Sequence, residues 1–309
     1  KTQHGKIRMI KEKQNILVTG GKGMVGRALI RLLEKESPKR ITIADLPEYD
    51  LRERIDCKTV CDGQDIIFHV AGIKGSPQRC MESPASFSVP MIQFNANMIE
   101  AAYNADVEWF LYTSSVGVYH PADVFVEDDV WKSFPSENDW YAGWAKRIGE
   151  MNVQAYMKQN NWNKCSIVRP ANIYGANDNF GQWSMVVPSL IKKAVESKDG
   201  TLKVWGDGSP IRDLIYADDV ARGMMHMVTN KVTEPVNLGS GTGVTIKKVA
   251  EIISDYFNLK IKWESDKPMG DSKRVMDTSR AESHRFKTST SFEDGIIKTI
   301  KWYLEQGVV

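Results

Sequence analysis

Three glycines at three-residue spacing, Gly20-x-x-Gly23-x-x-Gly26, separate the apolar run Asn15–Thr19 from apolar residues at helical spacing, Ala28, Leu29, Leu32 and Leu33. At such a junction the first glycine permits a tight turn and the second lets backbone approach a pyrophosphate. The third lets the helix lie close to the strand. The helix N-terminus then offers free N–H groups and a partial positive charge to an anion. Asp45 follows nineteen residues after Gly26, at the end of a second apolar run, Ile41–Ala44. A carboxylate there accepts hydrogen bonds from ribose hydroxyls and repels a 2′-phosphate. That favours NAD, and Lys39 and Arg40 nearby keep NADP as the alternative. Gly20, Gly23, Met24, Val25, Gly26 and Asp45 are therefore read as a dinucleotide site, with Asp50 and Leu51 at the adenine edge.

Such a site needs a strand-and-helix scaffold, and the chain supplies one. Further strands are expected at Asp65–Ala71, Trp109–Thr113 and Cys165–Arg169, with helices over Met91–Ala105 and Ala142–Gln159. Short apolar strands alternating with helices predict an α/β fold, a doubly wound parallel sheet of the Rossmann kind. After Gly175 the pattern loosens into helices at Pro188–Lys198, Asp218–Thr229, Ile246–Phe257 and Phe292–Glu305, with a strand at Leu202–Trp205. This back third reads as a smaller C-terminal α/β lobe. The expected division is an N-terminal extension over 1–13, a dinucleotide domain over 14–176 plus about 212–240, and a substrate lobe over about 177–211 plus 241–309.

Composition narrows the class. With 309 residues, 42% hydrophobic and 26% charged, the chain is globular and large enough for a substantial core. A net charge of +2 gives no case for a nucleic-acid partner, and no run of ~18 apolar residues predicts a membrane span. Cys57, Cys61, Cys80 and Cys165 form no CxxC, so neither a disulfide framework nor a metal site is expected. The expectation is a reduced, cytoplasmic protein.

Beyond the glycine turn, several stretches together resemble extended short-chain dehydrogenase/reductases of the nucleotide-sugar epimerase/dehydratase type. They are His69–Val70–Ala71–Gly72, Asn95, Thr113–Ser114–Ser115, Arg169–Pro170–Ala171–Asn172–Ile173–Tyr174–Gly175, Val204–Gly208 with Arg212–Asp213, and Asp277–Ala281. The likeness runs from Asn15 to about Tyr303. Ser83–Phe87 and Asn172–Phe180 bring it closest to GDP-fucose-synthase-like enzymes. The resemblance implies a nucleoside-diphosphate hexose as substrate, GDP favoured, and a homodimer formed through two helices, here Met91–Ala105 and Ala142–Gln159. It adds Ala71, Gly72, Lys146 and Pro170 to the cofactor site. Ser115, Asn172, Trp205, Arg212 and Arg274 become substrate contacts, the two arginines facing the diphosphate. Lys74 is a weaker candidate for touching the sugar.

The chemistry so implied moves a hydride between nicotinamide and a sugar carbon while a tyrosine exchanges a proton with the sugar oxygen. A free phenol has a pKa of about 10, and a neighbouring ammonium lowers it. Ser115 and Lys146 fit the serine and lysine of this family. The tyrosine should stand four residues before the lysine, and Ala142 stands there. Tyr141 is one residue off, a turn of about 100° around a regular helix. Three accounts compete: an irregular helix start brings Tyr141 to the sugar, Ala142 replaces a natural tyrosine, or the protein works without one through Tyr119, His120 or a water. A position for Tyr141 at the cap of the expected Ala142–Gln159 helix favours the first, so Tyr141 joins Ser115 and Lys146 as the catalytic set.

Two further departures matter. Val116 and Met185 stand where GDP-fucose-synthase-like enzymes have the cysteine and histidine that epimerise C3 and C5. Neither can move a proton. Reversible oxidation at one carbon remains, read as a C4 epimerase with retained NAD. A 4-keto reductase is the alternative, and a non-catalytic dinucleotide-binding regulator is the reading from another class.

Overall fold

The computed structural model describes residues 13–73, 77–267 and 271–307. In chain order the elements begin with β1 (Asn15–Thr19), α1 (Met24–Glu34), β2 (Arg40–Ala44), α2 (Arg54–Cys61), β3 (Ile66–His69) and α3 (Pro77–Glu82). Then come α4 (Ala85–Asn104), β4 (Trp109–Thr113), α5 (Trp140–Asn160), β5 (Cys165–Pro170) and β6 (Asn172–Tyr174). The later part holds α6 (Val186–Val195), β7 (Thr201–Trp205), β8 (Ile211–Tyr216), α7 (Ala217–Thr229) and β9 (Pro235–Leu238). It closes with β10 (Gly243–Thr245), α8 (Ile246–Phe257), β11 (Lys260–Glu264), β12 (Lys273–Arg274), α9 (Ser279–Ser283) and α10 (Phe292–Glu305).

Six strands form one parallel sheet in the order β2-β1-β3-β4-β5-β9. Their residues alternate between two cores, as a strand's two-residue period requires. Ile16, Val18, Phe68 and Leu111 join α1 and α7 on one face. Leu17, Ile67, Phe110 and Tyr112 join α2, α4 and α5 on the other. Truncating any of these fully buried aliphatic side chains to alanine would cost about 2–5 kcal/mol. The chain leaves β1 toward β2 on one side and returns to β3 on the other. This reversal opens a crevice at the C-terminal ends of β1 and β3, the usual ligand position in such sheets.

The smaller lobe has its own core, built from α6, α8, α10, β7 and β8. Here β8 pairs with β6, β10 and β12, and β7 pairs with β11. Residues 211–216 thus belong to the small sheet, and the return to the large one begins at α7, not at residue 212. Helix α4 starts at Ala85, ahead of the expected Met91, and runs through Pro90. No described helix is long and apolar enough to cross a membrane.

Candidate active site

A cleft of about 1480 Å³ runs from the β1 turn, across the ends of the large sheet, to the small lobe. At its first end Gly20 takes φ +69°, a conformation with little penalty only for glycine. The Gly20 carbonyl accepts from Gly23 N–H at 3.1 Å. Helix α1 starts at once behind an extended Gly23. A Cβ on Gly26 would lie 2.6 Å from Gly21 Cα and 2.8 Å from the Gly20 carbonyl carbon, so only glycine lets α1 pack this close. The free first-turn amides of α1 and the bare backbone of Gly23 make a cradle that fits a dinucleotide pyrophosphate. Gly20, Gly23, Met24, Val25 and Gly26 all line the cleft.

Asp45 closes the ribose end. Its carboxylate accepts from the Lys22 amide at 2.7 Å. Burial raises its pKa, and the Lys22 amide and charge oppose that rise. Asp50 and Leu51 line the same end, Asp50 tied to Arg52 by charged hydrogen bonds. Lys22 is likewise paired with Glu48. The acids here are therefore balanced by cations that are already engaged.

Ala71, Gly72 and Pro170 line the middle of the cleft, where Ser115 and Lys146 meet it. Ser115 follows β4, and its Oγ accepts from Gly117 N–H at 3.1 Å. Lys146 projects from α5, buried at 8% exposure, and donates to the Thr113 carbonyl at 2.8 Å. Its ammonium stands 5.5 Å from the Tyr112 ring centroid. Burial lowers its pKa to about 8, against an upward pull from Glu150.

A buried chain of hydrogen bonds holds this lysine's helix. His69 bonds Thr19 through Nδ1 at 2.8 Å and Asn95 through Nε2 at 2.9 Å. Asn95 donates to the Tyr112 hydroxyl, which donates to the Lys146 backbone carbonyl at 3.2 Å. Thr19 Oγ1 accepts from Ala71 N–H, so its hydroxyl proton points to Nδ1 and His69 carries its proton on Nε2. Burial pushes the His69 pKa down to about 3, with Lys146 adding to the fall and the Asn95 bond opposing it.

Tyr141 does not reach the cleft. Helix α5 is regular from Trp140 onward, which turns Tyr141 outward to 47% exposure and places Ala142 on the cleft wall. The irregular-start account is thereby corrected. Tyr119 does not reach it either, being buried with its hydroxyl on Asn237, and His120 is exposed and bonded to the Phe134 carbonyl. Val116 and Met185 both line the cleft.

At the far end Asn172, Trp205, Arg212 and Arg274 line the wall. Asn172 donates to the Asp213 carbonyl at 3.2 Å. Trp205 is 49% exposed, with the Lys193 ammonium over its ring. Arg212 has its pKa lowered to about 10 by burial and by the nearby Arg274 charge. Arg274 is held between two carboxylates, Asp139 at 2.5 Å and Asp271. Asp271 also accepts from Asn138 at 2.6 Å. This junction ties the start of α5 to the small lobe. Sequence spacing gave no sign of it, because Asn138 and Asp139 lie more than 130 residues from Asp271 and Arg274. Lys74 falls outside the described residues.

The comparisons with known proteins agree with this geometry. Residues 16–239 match the model of the NAD dependent epimerase/dehydratase family. The chain is 32% identical to a putative GDP-L-fucose synthase 2 of Arabidopsis thaliana, covering 97% of this chain and 94% of that one. It is 32% identical to a GDP-L-fucose synthase of Sinorhizobium fredii, covering 94% and 96%. A GDP-L-fucose synthetase structure from Naegleria fowleri bound to NADP superposes with a TM-score of 0.86 at 25% identity, covering 99% and 98%. The chain belongs to the NAD-dependent epimerase/dehydratase family, as an enzyme of the extended short-chain dehydrogenase/reductase type that works with NAD(P).

Proposed function

We propose that this protein reduces a keto group on the hexose of a nucleoside diphosphate sugar, with a GDP-hexose and carbon 4 favoured. When bound, the reduced nicotinamide supplies the hydrogen and electron pair. Gly20 to Gly26 and Asp45 hold the dinucleotide, Ser115 orients the sugar oxygen, and Arg212 faces the diphosphate. The GDP assignment is supported by relatives named GDP-L-fucose synthases.

One observation carries the reading. Ser115 and Lys146 share the cleft wall with Ala142, Val116 and Met185, three side chains that cannot exchange protons. Without acid/base groups at Val116 and Met185, epimerisation beside a ketone has no means, and oxidoreduction at one carbon remains. A 4-epimerase must take a proton from the sugar oxygen and return it through one and the same group, whereas a reductase needs the transfer in one direction only, and the wall has alanine where the family's phenol would stand. The epimerase stays as the second reading because Asp45 suits a retained NAD.

The test is a panel of GDP-, UDP-, CDP- and dTDP-4-keto-6-deoxyhexoses with NADH and NADPH. Cofactor consumption, fastest with the GDP-sugar, is expected. Sugar inversion without net cofactor use would instead establish the epimerase. Tight dinucleotide binding with no turnover would establish the non-catalytic protein. The proposal includes a homodimer through the outward sides of α4 and α5, where Val89 and Met151 are about half exposed. A monomer in sedimentation equilibrium at micromolar concentration would refute that part.

A further inference from the structure

We infer that Lys146 itself gives the proton to the sugar oxygen, in the room over Ala142, rather than serving only to charge a neighbouring phenol. The inference rests on the reductase reading. Lys146 and Ala142 lie one turn apart on the cleft side of α5. An ammonium has three N–H groups, and the Thr113 carbonyl takes one. Nearby, Thr113 Oγ1 and Ser114 Oγ are buried without a hydrogen-bond partner. Both residues line the cleft and are more than nine-tenths buried. The remaining N–H groups of the ammonium are left for a sugar oxygen or a relaying water on the cleft side, over Ala142.

Four other proton carriers among the described residues are engaged or aimed elsewhere. Tyr141 faces solvent. Tyr174 is buried, with its hydroxyl on the Phe292 carbonyl. His69 is enclosed between Thr19 and Asn95. Asp139 is paired with Arg274.

In the reduction, the carbonyl carbon gains a hydrogen with its electron pair, and the C–O π pair moves onto oxygen. An N–H bond of Lys146 breaks as the O–H bond forms. The neutral amine then recovers its proton from water in the open cleft. A lysine with an ordinary pKa is a reluctant donor, whereas burial brings this one down to about 8. The groups facing it set that value. Glu150, on the same helix, pulls it up but is spent on Arg169 at 2.7 Å. The Tyr112 ring and the Thr113 carbonyl from β4 are uncharged, and His69 from β3 is neutral.

The test uses the whole protein with a GDP-4-keto-6-deoxyhexose and reduced cofactor. In the wild type, kcat for reduction should fall about tenfold per pH unit above pH ~8. Lys146→Arg keeps the charge but cannot release a proton. It should lower kcat at least about 100-fold when read at saturating reduced cofactor, so that any change in dinucleotide affinity falls on KM instead. Adding Ala142→Tyr to Lys146→Arg should restore about tenfold or more, because a phenol then stands one turn before a fixed cation. Independently, the 15N signal of Lys146 Nζ in the free protein should titrate near pH 8. Full kcat in Lys146→Arg, or Nζ titration in the ordinary lysine range, overturns the inference alone. A wild type that reduces no keto-sugar removes the reductase reading and the inference with it.

Discussion

The dinucleotide turn makes two neighbouring glycines answer differently to the same substitution. In Gly26→Ala the new Cβ would sit 2.6 Å from Gly21 Cα, 2.8 Å from the Gly20 carbonyl carbon and closer still to the Gly20 oxygen. All three are backbone, so no side chain can swing aside. The start of α1 must retreat by roughly 1 Å to restore van der Waals contact. Overpacking of this kind costs about 1–3 kcal/mol or more, and it pulls the first-turn amides off the phosphate position. Gly23→Ala meets only the Gly20 oxygen, at 3.3 Å, and its φ of −79° is open to any residue. The fold should tolerate it within about 1 kcal/mol. Its methyl, however, would stand where pyrophosphate approaches. Fluorescence titration with NADH and thermal melting of the free protein separate the effects. Gly26→Ala should lose both stability and at least about 100-fold in affinity, ~2.7 kcal/mol. Gly23→Ala should lose comparable affinity while melting close to the wild type. Wild-type NADH affinity in Gly23→Ala would refute the placement of a pyrophosphate on this turn.

Two other perturbations test the buried lysine support and the ribose end. His69 binds a proton near pH 6.5 when unfolded and only near pH 3 when folded, so its contribution is present above pH 6.5 and is lost as pH falls toward 3. Between pH 7 and 5 this group should remove about 2 kcal/mol. Urea titrations should show His69→Gln, lower in stability overall, losing correspondingly less over that interval, and equal losses in both proteins would sink the argument. Asp45→Asn keeps an acceptor for the Lys22 amide while removing the charge that opposes a 2′-phosphate. The NADPH-to-NADH affinity ratio should rise about tenfold or more, and an unchanged ratio would show that Asp45 does not face that ribose carbon.

The large sheet and its cofactor end were legible in the sequence because their signals are local. A strand, a glycine turn and a helix occupy twenty consecutive residues, and the acid falls at the end of the next strand. Helices α8 and α10 were read with their true bounds for the same reason, and the structure caps them with Thr245 and Ser291. The small sheet was not legible. Strands β6, β10 and β12 are two or three residues long and gain meaning only by pairing with β8, across about 30 to 60 residues. Pro90 hid the first turn of α4, because a proline six residues into a helix reads as its beginning. Tyr141 was placed at the cap of a helix expected from Ala142, whereas the helix begins at Trp140 and holds Tyr141 in its first turn, facing outward. The Asp139–Arg274–Asp271 junction depends on two lobes meeting, which no spacing records.

What the fold does for the site is set the chemistry of one amine from below. Gly149 lies one turn beyond Lys146, and a Cβ there would collide with the Tyr112 hydroxyl. The missing side chain lets Tyr112 lie against α5 and donate to the Lys146 carbonyl. Tyr112 is in turn fixed by Asn95, and Asn95 by His69, so strands β1, β3 and β4 all fix the height of α5 over the sheet. Every member of that chain is neutral. A carboxylate partner would hold Lys146 as a permanent ammonium, whereas Glu150 is spent on Arg169. A neutral, fully bonded layer leaves desolvation as the larger effect, and desolvation is what makes a lysine willing to part with a proton near neutral pH. The reactivity of the cleft therefore follows from polar groups that never touch it, and their sequence positions, 19, 69, 95 and 112, are those of the sheet and its crossover helix rather than of any catalytic motif.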